Sequence, residues 1–196
     1  MLHNLPGMST TVTSSPIIIE NFLPEGMQDE LERVIMGMRF PWFYYPNTNS
    51  TDDYTQAGES PQFVHGFIQN YKNITQWHTV PRAITARLGI ADEKIIRAKC
   101  NLMSREKASF IHPKHVDDEN PHWVFIYYVN DADGDTCIFD GEEVAHRIKS
   151  KRGRGLIFDG MMEHASSAPV DSTHRCVFNF NLARDIPAEI FEKYAV

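Results

Sequence analysis

The sequence predicts a mainly β protein in which helices pack on one side of a sandwich, barrel or jelly roll. From residue 94 onward, short runs rich in β-branched and aromatic residues alternate with turn signals rich in Asp and Gly. Helical spacing of apolar residues occurs only before that point. Many short strands with such spacing favour an all-β architecture over an α/β sheet.

The first part of the chain predicts one short strand and two helices. The strand is the β-branched run 16–20. A helix after Pro24 would place five apolar residues in the core, namely Met27, Leu31, Val34, Ile35 and Met38. A second helix is predicted for Thr79–Leu88, with Thr79 as the cap and Pro81 in the first turn.

Six further strands are predicted in the second part of the chain, at 95–103, 122–129, 136–139, 143–148, 155–158 and 175–182. Turn signals separate several of them, at 131–135, 140–141 and 150–155. For the domain organisation, we expect a flexible N-terminus at 1–14 and a single domain over 15–196, with its β core at about 95–183. The polar stretch 46–62 is expected to be a long loop or lid.

The composition of the chain indicates which classes of binding partner and which cellular compartment to expect. The net charge is −7 and there is no long Lys/Arg run, so we expect neither nucleic acid nor an anionic membrane as a partner. No apolar stretch approaches the roughly 20 residues of a membrane helix. Cys100, Cys137 and Cys176 lack metal-binding spacing and are interpreted as reduced thiols. No signal-peptide pattern occurs at the start, and a cytoplasmic location is expected.

Three residues form a candidate metal site. In an extended segment His115 and Asp117 point to the same side, whereas Asp118 points away and is the expected bystander. His164 follows the predicted strand 155–158 in a short loop. Two imidazoles and one carboxylate are the ligand set of non-haem iron(II) oxygenases, which leaves positions open for a co-substrate and O2. The alternative for His164 is a surface loop histidine.

The region of about 96–182 resembles the double-stranded β-helix core of the iron(II)/2-oxoglutarate-dependent dioxygenases, and the prolyl hydroxylase branch is the best match. The resemblance rests on the stretches 115–117, 126–130 and 155–159, on His164, and on 174–178. It implies that His115, Asp117 and His164 bind Fe(II), and that Arg175 pairs with the distal carboxylate of 2-oxoglutarate with help from the Tyr128 hydroxyl.

The chemistry of these side chains is consistent with the implied roles. The planar guanidinium of Arg175 matches a carboxylate and can form two charge-assisted hydrogen bonds. Tyr128 shares the inward face of its strand with Val124 and Ile126, where its hydroxyl needs a polar partner. Arg175 as a strand-end surface cation and Tyr128 as an ordinary core aromatic are the alternatives.

Three more residues complete the candidate site. Asn101 stands where the family often has a Tyr or Asn that contacts 2-oxoglutarate near the metal, although a solvent-facing strand residue is equally compatible. The chain departs from the prolyl hydroxylase pattern here, because the usual tyrosine is absent and the segment 104–114 is long. Val177 and Asn179 should share the inward face of the Arg175 strand and line the cavity. Simple packing is the alternative for both.

The predicted function is hydroxylation of a substrate C–H bond with release of succinate and CO2, in which 2-oxoglutarate and O2 are consumed. The branch resemblance suggests a prolyl residue in a peptide or protein. Five aromatic residues flank the loop 46–62 and would suit a proline ring, unless they are buried against the core: Trp42, Phe43, Tyr44, Tyr45 and Phe63. The alternatives are hydroxylation of a free amino acid or another small metabolite, and a non-enzymatic cupin-like metal-binding sensor.

Overall fold

The computed structural model describes residues 15–46 and 61–194. Its strands are, in chain order, β1 (Ile17–Ile19), β2 (Phe43–Tyr45), β3 (Gln62–Gln69), β4 (Lys72–Asn73), β5 (Ile95–Ser104), β6 (His122–Tyr128), β7 (Ala132–Asp140), β8 (Glu143–Ser150), β9 (Gly155–Asp159), β10 (His164–Ser166) and β11 (His174–Ala183). The helices are α1 (Glu25–Ile35), α2 (Thr79–Leu88) and the short α3 (Glu189–Glu192). A 3-10 turn at Asp92–Lys94 leads into β5.

The strands form two antiparallel sheets that face each other. The larger sheet has eight strands in the order β1-β9-β6-β11-β5-β3-β2, with β4 paired to β3. The smaller sheet has the order β10-β7-β8. Side chains of the larger sheet, such as Val124 and Leu156, pack against Ile138 and Ile148 of the smaller one. The mainly β jelly roll predicted from the sequence is thus confirmed.

The two faces of the larger sheet pack into two different hydrophobic cores, and the side chains of β6 alternate between them. Trp123, Phe125 and Tyr127 belong to the main core, in which residues of the helices cover the outer face. Val124, Ile126 and Tyr128 alternate with them and point inward to the smaller sheet. Because every residue of β6 is buried, the strand has no solvent face.

The helices cover the outer face as expected, but α1 is shorter than its apolar pattern. It ends at Ile35, and Leu31 and Ile35 are buried. Met27 is 41% exposed and Met38 is fully exposed, so the prediction that they pack in the core was wrong. Because α1 ends at Ile35, Met38 lies beyond the helix and does not share its buried face. The predicted second helix has the same bounds as α2, but the prediction that Thr79 is its cap was wrong, because the N-cap is His78 and Thr79 is the first helical residue.

Two of the expectations from the sequence concern residues that the structure does not describe. The expected flexible N-terminus, 1–14, and most of the expected loop or lid, 46–62, fall outside the described residues. The predicted turn at 131–135 is instead the first half of β7, where an irregular register between Ala132 and Asp135 accommodates it. In the described part of the chain, no helix has the length and apolar character needed to cross a bilayer.

Candidate metal centre

His115, Asp117 and His164 meet at one end of the space between the two sheets. One ligand atom from each lies within 4.8 Å of the others. The segment before β6 carries His115 and Asp117, and β10 begins with His164. The two histidines are joined by an isolated antiparallel bridge, with backbone N–H to carbonyl distances of 3.0 and 2.9 Å. This bridge fixes the separation of residues that are distant in sequence.

The orientation of both imidazoles suits a metal ligand. Nδ1 of His164 donates to the carbonyl of Met162 at 3.0 Å, and Nδ1 of His115 donates to that of Pro113 at 3.3 Å. Because a carbonyl only accepts, Nδ1 of each ring carries a proton, and in the neutral ring Nε2 is then the atom with the free lone pair. Nε2 of His164 is buried without a hydrogen bond and lies 3.7 Å from Asp117, too far for one. Burial, together with His164, lowers the pKa of His115 and favours its neutral form.

Asp117 is held by neighbours whose N–H groups point to its carboxylate. Its Oδ1 lies 2.6 Å from Nη2 of Arg97, and its Oδ2 accepts a hydrogen bond from Asn179 at 3.1 Å. Burial alone would raise the pKa of Asp117, but His164, Arg97 and Lys99 outweigh it and hold that pKa well below its usual range. The carboxylate is therefore ionised. Asp118 points elsewhere and accepts the backbone N–H of Asn120 at 2.8 Å.

A cavity of about 60 Å³ extends from these histidines to Arg175. Its walls come from both sheets: inward-facing residues of β5 and β11 lie on one side, and residues of β7 and β10 lie on the other. Six of the residues proposed from the sequence line it: Asn101, His115, His164, Arg175, Val177 and Asn179. Asp117 and Tyr128 stand directly behind this lining, through contacts with Asn179 and Thr136.

Arg175 is buried at the far end of the cavity, not exposed at a strand end. It donates from Nε to the carbonyl of Gly134 at 3.1 Å and from Nη2 to the hydroxyl of Thr136 at 2.8 Å. A Cβ at Gly134 would come within 2.9 Å of the Arg175 side chain and 2.6 Å of the Ser167 carbonyl, so only glycine fits there. The guanidinium is thereby fixed in direction.

Tyr128 is fully buried, and its hydroxyl donates to Thr136 at 2.7 Å. From the sequence we expected a bound carboxylate as the partner of this hydroxyl, and Thr136 was not predicted. A single threonine in a predicted strand carries no signal by itself. The inward alternation of β7, which Thr136 shares with Ile138, was the only available indication.

Gln62 and Lys99, two polar residues that were not predicted from the sequence, also line the cavity. Gln62 accepts a hydrogen bond from the Asn101 amide at 2.9 Å, so Asn101 faces the cavity and not solvent. Lys99 lines the metal end of the cavity. Burial, reinforced by Arg97 and opposed by Asp117, lowers the pKa of Lys99 to about 8. The ammonium is still mostly protonated at neutral pH.

A second hollow adjoins the cavity, and we call it the groove. It has a volume of about 210 Å³ and shares Gln62 and Lys99 with the cavity. Its remaining walls are mainly apolar and come from β2, β3, β5 and the segment after β4: Phe43, Tyr45, Val64, Gly66, Ile68, Gln69, Ile74, Arg97 and Ala98. Phe43, Tyr44 and Tyr45 are exposed, which excludes burial against the core for these three aromatics.

We compared the chain with known proteins in sequence and in structure. No family model matches the chain, and no curated protein matches it. Solved structures do. A 2OG-Fe(II) oxygenase family oxidoreductase from Burkholderia pseudomallei is 13% identical, with 88% of this chain and 86% of that one covered and a TM-score of 0.63.

Two prolyl hydroxylases are similar as well. One from Trichoplax adhaerens is 14% identical, with 93% of this chain and 86% of that one covered and a TM-score of 0.58. The prolyl-4-hydroxylase of Pseudomonas putida is also 14% identical, with 88% and 94% covered and a TM-score of 0.56. At such low identity the likeness is one of fold. The chain therefore has the double-stranded β-helix fold of the 2-oxoglutarate/iron(II) oxygenases.

Proposed function

We propose that this protein is an iron(II)- and 2-oxoglutarate-dependent dioxygenase that hydroxylates a substrate C–H bond. One observation carries the proposal. A histidine-histidine-aspartate cluster and a buried arginine, Arg175, lie at the two ends of the same cavity. A binding protein for metal alone has no use for Arg175 in that position, which argues against a cupin-like sensor.

His115, Asp117 and His164 would hold Fe(II). The fit rests on two imidazoles whose Nε2 atoms point to an ionised carboxylate, and on the buried Nε2 of His164 that lacks a hydrogen-bond partner among the described residues. Hydrogen bonds from Nδ1 to backbone carbonyls are the usual outer support of histidine ligands. When bound, iron(II) and 2-oxoglutarate supply the oxidation by O2 in which a C–H becomes C–OH while 2-oxoglutarate becomes succinate and CO2.

Arg175 would bind the distal carboxylate of 2-oxoglutarate, and the hydroxyl of Thr136 lies beside it. Tyr128 would act mainly by orienting Thr136. Asn101 would stand near the metal end, where its buried Oδ1 has no hydrogen-bond partner among the described residues. Val177 and Asn179 would form the wall between the two ends.

The finer proposal concerns the substrate, a prolyl residue in a peptide or protein. The exposed rings of Phe43 and Tyr45 at the groove support it, because aromatic faces bind proline rings well. The similar Trichoplax enzyme was solved with a peptide fragment of a hypoxia inducible factor oxygen degradation domain. The net charge of −7 and the three free cysteines support a cytoplasmic enzyme that acts without nucleic acid or membrane.

The test is succinate release by the purified protein with Fe(II), 2-oxoglutarate and O2. Proline-containing peptides and free L-proline are added in turn, and mass spectrometry locates any added oxygen. Asp117→Ala should abolish turnover, whereas Asp118→Ala, a matched neighbour outside the site, should preserve it. Hydroxylation of free L-proline with every prolyl peptide unmodified would contradict the peptide substrate, and turnover by Asp117→Ala would contradict the iron site.

A further inference from the structure

Lys99 occupies the point where the cavity and the groove meet. Its side chain lines both, next to His115 and Asn179 on one side and to Phe43, Tyr45 and Ile74 on the other. On the neighbouring strand β3 its register partner is Gly66, which has no side chain. Gly66 thus leaves the approach to Lys99 open from the groove.

The ammonium of Lys99 differs from the two arginines near it. Arg97 is paired with Asp117, and Arg175 donates to Gly134 and Thr136. Within residues 15–46 and 61–194, Lys99 has no hydrogen bond and no carboxylate within ion-pair distance. Asp117, which is not in ion-pair contact with Lys99, compensates only in part for the hydration free energy that this cation loses in the site.

Lys99 and Arg175 lie at different ends of the cavity. On the paired strands, Arg175 lies opposite Met103 and Asn179 lies opposite Lys99. The two positions are four residues apart along the strands, or about 13 Å at a rise of about 3.3 Å per residue. Lys99 therefore faces the metal end and the groove, away from the carboxylate that Arg175 would bind.

The charges around the metal end are unequal. Two cations, Arg97 and Lys99, stand near one carboxylate, Asp117. Divalent iron and dianionic 2-oxoglutarate cancel each other's charge and leave this excess of cations unchanged. The excess is local, because the chain as a whole carries a net charge of −7. In a partly buried site such an imbalance favours an anionic ligand.

We infer that the groove binds a substrate that carries a carboxylate, held by Lys99, beside a ring or apolar group that lies on Phe43, Tyr45 and Ile74. The inference rests on the proposed function and makes its substrate more specific. For a prolyl peptide, the carboxylate would be an acidic side chain or the chain end next to the target proline. Lys99 selects such substrates by pairing with the anion, while the apolar wall positions the ring.

Matched acid and amide probes test this by calorimetry, with Mn(II) and 2-oxoglutarate present and O2 excluded so that no turnover occurs. The pairs are a blocked peptide with aspartate after proline against the same peptide with asparagine, acetyl-alanyl-proline against its amide, and hydrocinnamic acid against its amide. Wild type should bind at least one acid about tenfold more tightly than its amide. The three pairs separate an acidic peptide side chain, a peptide end and a small acid.

Lys99→Met should abolish the preference for the acid, and Lys99→Arg should retain most of it. Lys94→Met, a surface lysine paired with Asp185, is the control and should behave as wild type. Gly66→Val should weaken acid and amide alike, because its side chain fills the groove beside Ile74. Equal binding of acid and amide in every pair by wild type, or an unchanged preference in Lys99→Met, would overturn the inference.

The same titrations separate this inference from the proposed function. The acid and its amide are compared on the same variant, so a change in Mn(II) affinity that Lys99→Met causes through Asp117 acts on both alike. Loss of 2-oxoglutarate binding together with an unchanged acid preference would make Lys99 part of the co-substrate site and overturn the inference. If wild type bound neither Mn(II) nor 2-oxoglutarate, the proposed function would fail. An acid preference that depended on Lys99 would still stand in that case, since calorimetry detects it without catalysis.

Discussion

The guanidinium of Arg175 lies over the ring of Tyr128, with 5.6 Å between the guanidinium carbon and the ring centroid. The two residues also share the hydroxyl of Thr136. Burial lowers the pKa of Arg175 and raises that of Tyr128, so the pair remains a cation beside a neutral phenol. Arg175 is consequently held in one orientation by a ring, a hydroxyl and a backbone carbonyl before any ligand binds.

We expect Arg175→Ala to weaken 2-oxoglutarate binding by about 2–3 kcal/mol, the loss typical of a hydrogen-bonded charged group. Thr136→Val, which preserves shape, and Tyr128→Phe should each cause a smaller loss. Calorimetry with Mn(II) measures the affinities, and circular dichroism checks that each variant is folded. Arg33→Ala, at an exposed arginine bound to Glu30, should bind like wild type. Wild-type affinity in folded Arg175→Ala and Thr136→Val would refute the anchor.

Metal binding should depend more strongly on the cluster than on its neighbours. His115→Ala and Asp117→Ala should weaken Mn(II) by more than about 100-fold, beyond the roughly 10–100-fold typical of outer partners. Asn179→Ala, which removes a hydrogen bond to Asp117, should fall within that smaller range. Asp118→Ala should have no effect. Electron paramagnetic resonance of bound Mn(II) provides the measurement, and equal losses in Asp117→Ala and Asp118→Ala would argue against the assignment.

Gly160 separates β9 from the loop that leads to His164, and it lies against the buried ring of His122. A Cβ at this position would overlap that ring. We therefore expect Gly160→Ala to lower the free energy of unfolding by about 1–3 kcal/mol, the usual effect of overpacking. Gly26→Ala is the control, because a Cβ there meets nothing within 4 Å and α1 would gain up to about 1 kcal/mol. Urea unfolding should separate the two variants, and equal midpoints would contradict this account.

Asp133 ties the segment before β11 to β7. Its Oδ2 accepts the backbone N–H groups of Val170 and Asp171 at 2.8 and 3.0 Å, and its Oδ1 accepts that of Ser172 at 2.9 Å. Partial burial would raise the pKa of Asp133, but these three donors outweigh it and hold the pKa well below its usual range.

A lowered pKa in the folded state gives stability that is present above the unfolded pKa of about 3.9 and lost as the pH falls below it. Asp133→Asn should lower the free energy of unfolding by about 1 kcal/mol at pH 7, a modest figure because the site is exposed. The difference from wild type should shrink below about pH 4. Thermal unfolding at several pH values checks this, and a gap that widened toward acid would have the wrong sign.

The sequence predicted the jelly roll because its strands from β5 onward are strongly apolar and separated by acidic or glycine-rich turns. It missed β3, whose pattern is interrupted by His65 and Gly66, and β10, which is only three residues long. The candidate ligands could be named from motif and resemblance. Thr136 and Lys99 could not, since their contacts arise from strand register, and register depends on pairing between distant parts of the chain.

The alternation along β6 also determines where this protein tolerates change in length. One residue inserted within β6 would turn Tyr127 toward the cavity and Tyr128 toward the helices, so that a single event would damage the outer core and the arginine support together. The connection between β5 and β6 pairs with the segment around β10 at Ile111 and His115, whereas its residues 107–109 form no such bridge. We expect natural variants to lengthen or shorten that connection, while β6 varies only by substitution.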